Sequence, residues 1–359
     1  MVPFATRARQ HSDGIVDLSI GSPVDATPDV VRAALSSATD AHAYPTTAGT
    51  PALGEAIASW FERRRGVPGL TTRNVLPTIG SKELVALLPF MLGIGEGDII
   101  VHPRAAYPTY AIGAAMCGAT AVASDDPEEW PVGTKLIWLN SPGNPDGSVL
   151  DIEGLRRRVE RARELGALIV NDECYAELGW TGPWAHSPVP SILDPRVTDG
   201  TVDNILAIYS LSKQSNMAGY RAAFVAGCSS SIARLTTVRK HAGLMVPAPL
   251  QDAMIVALAD EHHVAVQKAR YAARRAVLLP ALEHAGFTLD RSEAGLYLWV
   301  TEGRDAWESI ARLADLGILA GPGTFYGDFY PQHVRLSLTA TDERISAAAE
   351  RLLSTAVGG

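Results

Sequence analysis

Apolar positions along the chain follow two alternating rhythms. Short unbroken runs read as buried strands: Asn74 to Thr78, Asp98 to Val101, Lys135 to Leu139, Ala167 to Val170, Ile205 to Tyr209 and Ala222 to Gly227. Between them lie stretches with helical spacing. Ala52 to Arg65 sets Leu53, Ile57, Trp60 and Phe61 on one face, and Ile152 to Leu165 mixes arginines with glutamates. Further helices are expected at Pro28 to Ala38, with Thr27 as cap and Pro28 opening the first turn, at Leu84 to Leu92, and up to Lys240. A long helical region from Leu250 to His284 is interrupted near Asp260 to His263. Gly14 to Pro23 reads as an extended piece ending in a glycine turn. Gly93 to Asp98 follows a helix and precedes a strand, the reverse of a dinucleotide loop, and is therefore a turn.

Strands that alternate with helices predict an α/β protein whose mostly parallel sheet is covered on both faces. Past Ala222 to Gly227 the pattern changes. Gly295 to Val300, Trp307 to Leu316, His333 to Leu338 and Glu343 to Leu353 suggest a smaller α+β unit. The expected division is a large domain over residues 40–260, with an N-terminal arm (1–39) joining a small domain (261–359).

Each strand of the large domain deposits polar groups at its carboxyl end, where ligands of open α/β sheets sit. Gly80, Ser81 and Lys82 follow the first; Tyr107 to Tyr110 lie beyond the second. Asn144 follows Lys135 to Leu139, Asp172 and Tyr175 follow Ala167 to Val170, and Ser210-Leu211-Ser212-Lys213 ends Ile205 to Tyr209, with Arg221 eight residues on. A strand, a glycine and a serine at a helix start aim backbone N–H groups at an anion, although Ser81 would equally serve as a cap.

Composition narrows the reading. The 359 residues are 47% hydrophobic and 19% charged, with 31 Lys and Arg against 39 Asp and Glu, so nucleic acid is a poor partner. No apolar stretch approaches the roughly 18 residues of a bilayer span, and Met1 to Gln10 lacks a signal-peptide core. Cys117, Cys174 and Cys228 have no paired spacing, which fits a cytoplasmic protein without a zinc site; alternation would turn Cys174 into the core. The adjacent His262 and His263 point apart on a helix, and no metal is expected.

If the ligand is pyridoxal 5'-phosphate, every rim residue acquires a task. Lys213 would hold the cofactor aldehyde covalently and move the substrate's α-proton. Asp172 would keep the pyridine nitrogen protonated, Asn144 and Tyr175 would donate to the phenolic oxygen, and Tyr107 would stack on the ring. Gly80, Ser81, Lys82, Ser210, Ser212 and Arg221 would cage the phosphate. Arg335 would clamp a substrate carboxylate through its two-pronged guanidinium, and the turn at Gly21 would bring backbone close from above. For a distal carboxylate the candidate cations are Lys82 and Arg104. Met245-Val246-Pro247 would either line the mouth or end a helix.

In this order, Gly21 with Pro23, Tyr44 with Gly49, Gly80-Ser81, Tyr107-Pro108-x-Tyr110, Asn144-Pro145, Asp172-x-x-Tyr175, Ser210-x-Ser212-Lys213, Arg221 and Arg335 resemble the class I and II aminotransferases, of pyridoxal phosphate fold type I. The resemblance implies a homodimer with shared active sites, in which Tyr44 reaches the neighbouring subunit's phosphate. Asp172-Glu173-Cys174-Tyr175-Ala176-Glu177-Leu178-Gly179-Trp180, Pro77 to Leu84 and Leu338 to Arg344 are similar to the short bacterial N-succinyldiaminopimelate aminotransferases of lysine synthesis. That likeness implies glutamate as amino donor and N-succinyl-2-amino-6-oxopimelate as acceptor. The alternatives are another class I/II transaminase, of aspartate or aromatic type, a pyridoxal phosphate carbon–sulfur β-lyase, and, more distantly, a non-catalytic effector domain.

Overall fold

A computed structural model describes residues 1–355. Its centre is a seven-stranded sheet ordered Val75–Ile79, Ala222–Gly227, Ile205–Ser210, Leu168–Asp172, Thr134–Asn140, Ile99–His102, Thr120–Ala123. All neighbours pair in parallel except Ala222–Gly227, which is antiparallel to both of its neighbours. This reversal brings the start of that strand, and so Arg221, to the rim where the other strands end.

Period-two alternation explains why the sheet is covered twice. Along Ile205–Ser210, the side chains of Ile205, Ala207 and Tyr209 enter one apolar core, whereas Leu206 and Ile208 enter another. The first core holds Trp60 and Phe61 of the helix Pro51–Arg65, with the Trp60 ring 4.4 Å from that of Tyr209. The second is closed by Leu84, Val85 and Leu88 of the helix Ser81–Met91. A third core belongs to a four-stranded sheet ordered Gly321–Pro322, His333–Ser337, Tyr297–Thr301, Thr288–Leu289. The arm joins it through Val16–Asp17, which pairs with Ile318–Leu319.

Local expectations were met unevenly. The long helical region divides at Asp260 into Ala248–Ala259 and Glu261–His284, where the Asp260 carboxylate accepts from His262 N. Thr27 caps nothing: Pro28 occupies the cap position of the helix Asp29–Ser37, and the Thr27 hydroxyl donates instead to Asn216 O at 3.0 Å. Pro247 begins Ala248–Ala259 as its cap residue, with Val246 buried beneath. Among the described residues no helix is long and apolar enough to cross a membrane.

Candidate active site

The strand ends and the small sheet enclose a cavity of about 420 Å³. The structure brings Gly21, Ser81, Lys82, Tyr107, Asn144, Asp172, Tyr175, Ser210, Ser212, Lys213, Arg221 and Arg335 to its wall. Gly80 lies just behind, against Arg221. Tyr44 is the exception: it is 96% exposed and outside this wall.

Ser210 ends its strand by accepting from Ser212 N at 3.2 Å, which starts the short helix Leu211–Gln214 and turns Lys213 toward the cavity. The Lys213 ammonium donates to Gly21 O. Gly80 caps the helix Ser81–Met91 at φ 75° with no side-chain cap bond, so its N-terminal N–H groups face the site. A Cβ on Gly80 would stand 2.2 Å from the Arg221 guanidinium; glycine is required there by backbone angle and by space.

Asp172 is buried and, among the described residues, has no cationic side chain bonded to it. Its carboxylate accepts from the Tyr110 hydroxyl and from Cys174 N, each at 3.2 Å, and from the Cys174 thiol. Burial pushes its pKa up, and those hydrogen bonds offset the push only in part. Asn140 binds the Asp172 carbonyl at 2.9 Å and accepts from Asn144 N at 2.8 Å, locking one strand end to the next.

Arg335, 6% exposed, donates to Asn144 Oδ1 at 2.8 Å and to Ser19 O at 2.7 Å. Its guanidinium carbon lies 3.9 Å from the Tyr297 ring centre and 4.7 Å from that of Tyr326, and its Nε has no partner among the described residues. A planar cation fixed between two rings is ready for a carboxylate. Of the two candidates for a distal carboxylate, Lys82 lies at the wall, with its ammonium 5.6 Å from the Tyr107 ring centre. Arg104 does not: it pairs with Glu129 at 2.9 Å and covers Phe329.

Cys174 is buried in a core cluster with Tyr175 and Leu178, as expected, and it also borders the cavity, with Ser81 and Lys213 close by. Glu173, its neighbour, is buried as well, and Arg65 meets it at 3.0 Å. Sequence reasoning missed Asn140, Tyr297, Phe325 and Tyr326 at the wall. Tyr297 pairs with Ser337 and sits diagonal to Arg335 on the same sheet face, a relation visible only after register is known.

The sequence model of aminotransferase class I and II matches residues 13–352. The chain belongs to this family. The aminotransferase is 53% identical to the 4-dedimethylamino-4-oxo-anhydrotetracycline transaminase OxyQ of Streptomyces rimosus, over 98% of this chain and 97% of that one. It is 51% identical to the probable aminotransferase Rv1178 of Mycobacterium tuberculosis, over 96% and 82%. Among solved structures it is similar to a probable N-succinyldiaminopimelate aminotransferase of Thermus thermophilus, with TM-score 0.87, 28% identity and 98% of each chain covered. The fold is that of pyridoxal phosphate fold type I, and the family's cofactor is pyridoxal 5'-phosphate. This aminotransferase's residues fit that group. A buried carboxylate lacking a cation matches a protonated ring nitrogen, and an uncapped helix start beside Arg221 matches a phosphate.

Proposed function

We propose that the protein moves an amino group from glutamate to N-succinyl-2-amino-6-oxopimelate, working as a homodimer in the cytoplasm. The observation that carries the reading is one cavity lined by the Lys213 amine, the cation-free Asp172 carboxylate and the Arg335 guanidinium. When bound, pyridoxal 5'-phosphate supplies an electron-withdrawing ring that accepts the electrons of the substrate's α-carbon. The chain's own groups do the rest. Lys213 Nζ would hold the cofactor and carry the α-proton; Asp172 would keep the ring nitrogen protonated; Asn144 and Tyr175 would donate to the phenolic oxygen; Tyr107 would stack on the ring. Gly80, Ser81, Lys82, Ser210, Ser212 and Arg221 bind the phosphate, with Tyr44 from the neighbouring subunit. Arg335 takes the α-carboxylate and Gly21 borders the substrate. Lys82, the cation left at the wall, takes a distal carboxylate in part of the reaction cycle.

A second reading is favoured by the 53% identity to a tetracycline-ring transaminase, namely an acceptor that is a polycyclic ketone. A panel settles the choice: holoenzyme with glutamate and, in turn, the succinylated oxopimelate, a keto-anhydrotetracycline, oxaloacetate and phenylpyruvate, with cystathionine alone as the β-lyase arm. Formation of 2-oxoglutarate at the highest kcat/KM with the succinylated acceptor supports the proposal. A preference of tenfold or more for the ring ketone, by the ordinary conversion of about 1.4 kcal/mol per decade, replaces it with the second reading.

A further inference from the structure

We infer that Tyr297 is a positioning residue that fixes the direction of the Tyr175 hydroxyl and couples it to the charge at Arg335. The inference rests on the reading above, in which Tyr175 donates into the cavity. The Tyr175 and Tyr297 hydroxyls are 3.2 Å apart, and both residues are buried. A phenol has one proton to donate. When Tyr175 points its proton at the cofactor's phenolic oxygen, the proton between the two rings must be that of Tyr297. The Tyr297 hydroxyl therefore orients the Tyr175 donor and strengthens it, because a hydroxyl that accepts becomes a better donor.

Space and charge are arranged for this. A Cβ at Gly21 would stand 2.1 Å from the Tyr297 hydroxyl oxygen, so the glycine leaves the room that this phenol occupies. The Arg335 guanidinium lies over the Tyr297 ring, while the Lys213 ammonium donates to the Gly21 carbonyl next to it. Other titratable groups near Tyr297 are Tyr326 and Tyr271; Cys174 and Asp172 flank Tyr175. Burial alone would raise the Tyr297 pKa, but Arg335 and Lys213, together with the hydrogen bond to Tyr175, hold it below the usual tyrosine value. A carboxylate on Arg335 neutralises that cation, makes Tyr297 a weaker acid and a weaker donor to Tyr175, and so carries the arrival of substrate to the phenolic oxygen.

The test is a spectrophotometric pH titration of the holoenzyme's visible cofactor band, with and without maleate, a dicarboxylate with no amino or keto group. Tyr175 donation favours the deprotonated oxygen, so losing its orienting partner should move the midpoint upward. Tyr297→Phe should raise it by about 0.5 to 1 pH unit, the size expected for one hydrogen bond. Tyr175→Phe should raise it further, and the double variant should match Tyr175→Phe alone. Maleate should raise the wild-type midpoint, and Tyr297→Phe should lose at least half of that increment. An unchanged midpoint in Tyr297→Phe, additive effects in the double variant, or an undiminished maleate shift would each overturn the inference while leaving the cofactor reading intact. A wild-type protein that takes up no visible band overturns both.

Discussion

Two residues concentrate the site's demands. At Gly80 any side chain meets the Arg221 guanidinium and must also adopt φ 75°. Gly80→Ala should therefore weaken pyridoxal phosphate binding by roughly 10- to 100-fold, through displaced Arg221 and a tilted helix start; equilibrium titration of the apoprotein with cofactor measures it. At Arg335 the demand is planarity, because the same group bridges Asn144 and Ser19 while lying between Tyr297 and Tyr326. Lysine retains the charge and loses the fork. Arg335→Lys should lower kcat/KM for glutamate by about 100-fold, mostly through KM, as expected for one bidentate ion pair reduced to a point charge. Equal kcat/KM in variant and wild type would remove Arg335 from carboxylate binding.

At the scale of elements, buried ion pairs join segments distant in the chain. Arg65, at the end of the helix Pro51–Arg65, meets Glu173 just past a sheet strand, both side chains 1% exposed. Glu173→Gln leaves a buried cation unpaired and should cost about 3–5 kcal/mol by urea unfolding. Asp25 ties the arm to the helix Glu261–His284, accepting from Arg274 at 2.6 and 2.8 Å and from Gln267 at 2.8 Å. Burial pushes the Asp25 carboxyl up, but these bonds hold it below its ordinary 3.8. A carboxyl depressed in the folded state contributes fully above its unfolded pKa, and the contribution disappears as pH falls through the folded value. Urea midpoints of wild type and Asp25→Asn should differ near pH 7, and the difference should shrink only as pH falls below the ordinary aspartate value of 3.8. The sequence disclosed these elements in proportion to burial. Ile205–Ser210 and Leu168–Asp172 are buried throughout and were legible as apolar runs. The edge strand Thr120–Ala123, half exposed, and the two-residue Ile318–Leu319 were not, because backbone pairing rather than side-chain pattern defines them; Val16–Asp17 was legible as extended chain, but not its partner. For the same reason the sequence put chemistry-bearing side chains at strand ends correctly on one rim, yet it could not bring Tyr297 or Tyr326 there. Those two reach the cavity through the packing of the small sheet on the large one.

For the whole molecule, the proposed homodimer makes its sharpest prediction at Tyr44. Tyr44 lies in the turn-rich segment before the helix Pro51–Arg65, 96% exposed, and does not touch the wall formed by its own chain's Lys213. A two-fold dimer that exchanged this tyrosine would make each site from two subunits. Mixing inactive subunits then becomes diagnostic. A Tyr44→Ala subunit retains Lys213, a Lys213→Ala subunit retains Tyr44, and in a mixed dimer one site regains both. Random reassociation of equal amounts should restore about a quarter of wild-type activity, because half the dimers are mixed and each has one intact site. If Tyr44 served its own chain, no mixed dimer would contain an intact site, and activity would stay at the average of the two parents. Tyr44→Ala homodimers must first prove impaired, and their defect should appear as a weakened hold on cofactor phosphate, relieved by excess pyridoxal phosphate, rather than as a loss of proton transfer by Lys213.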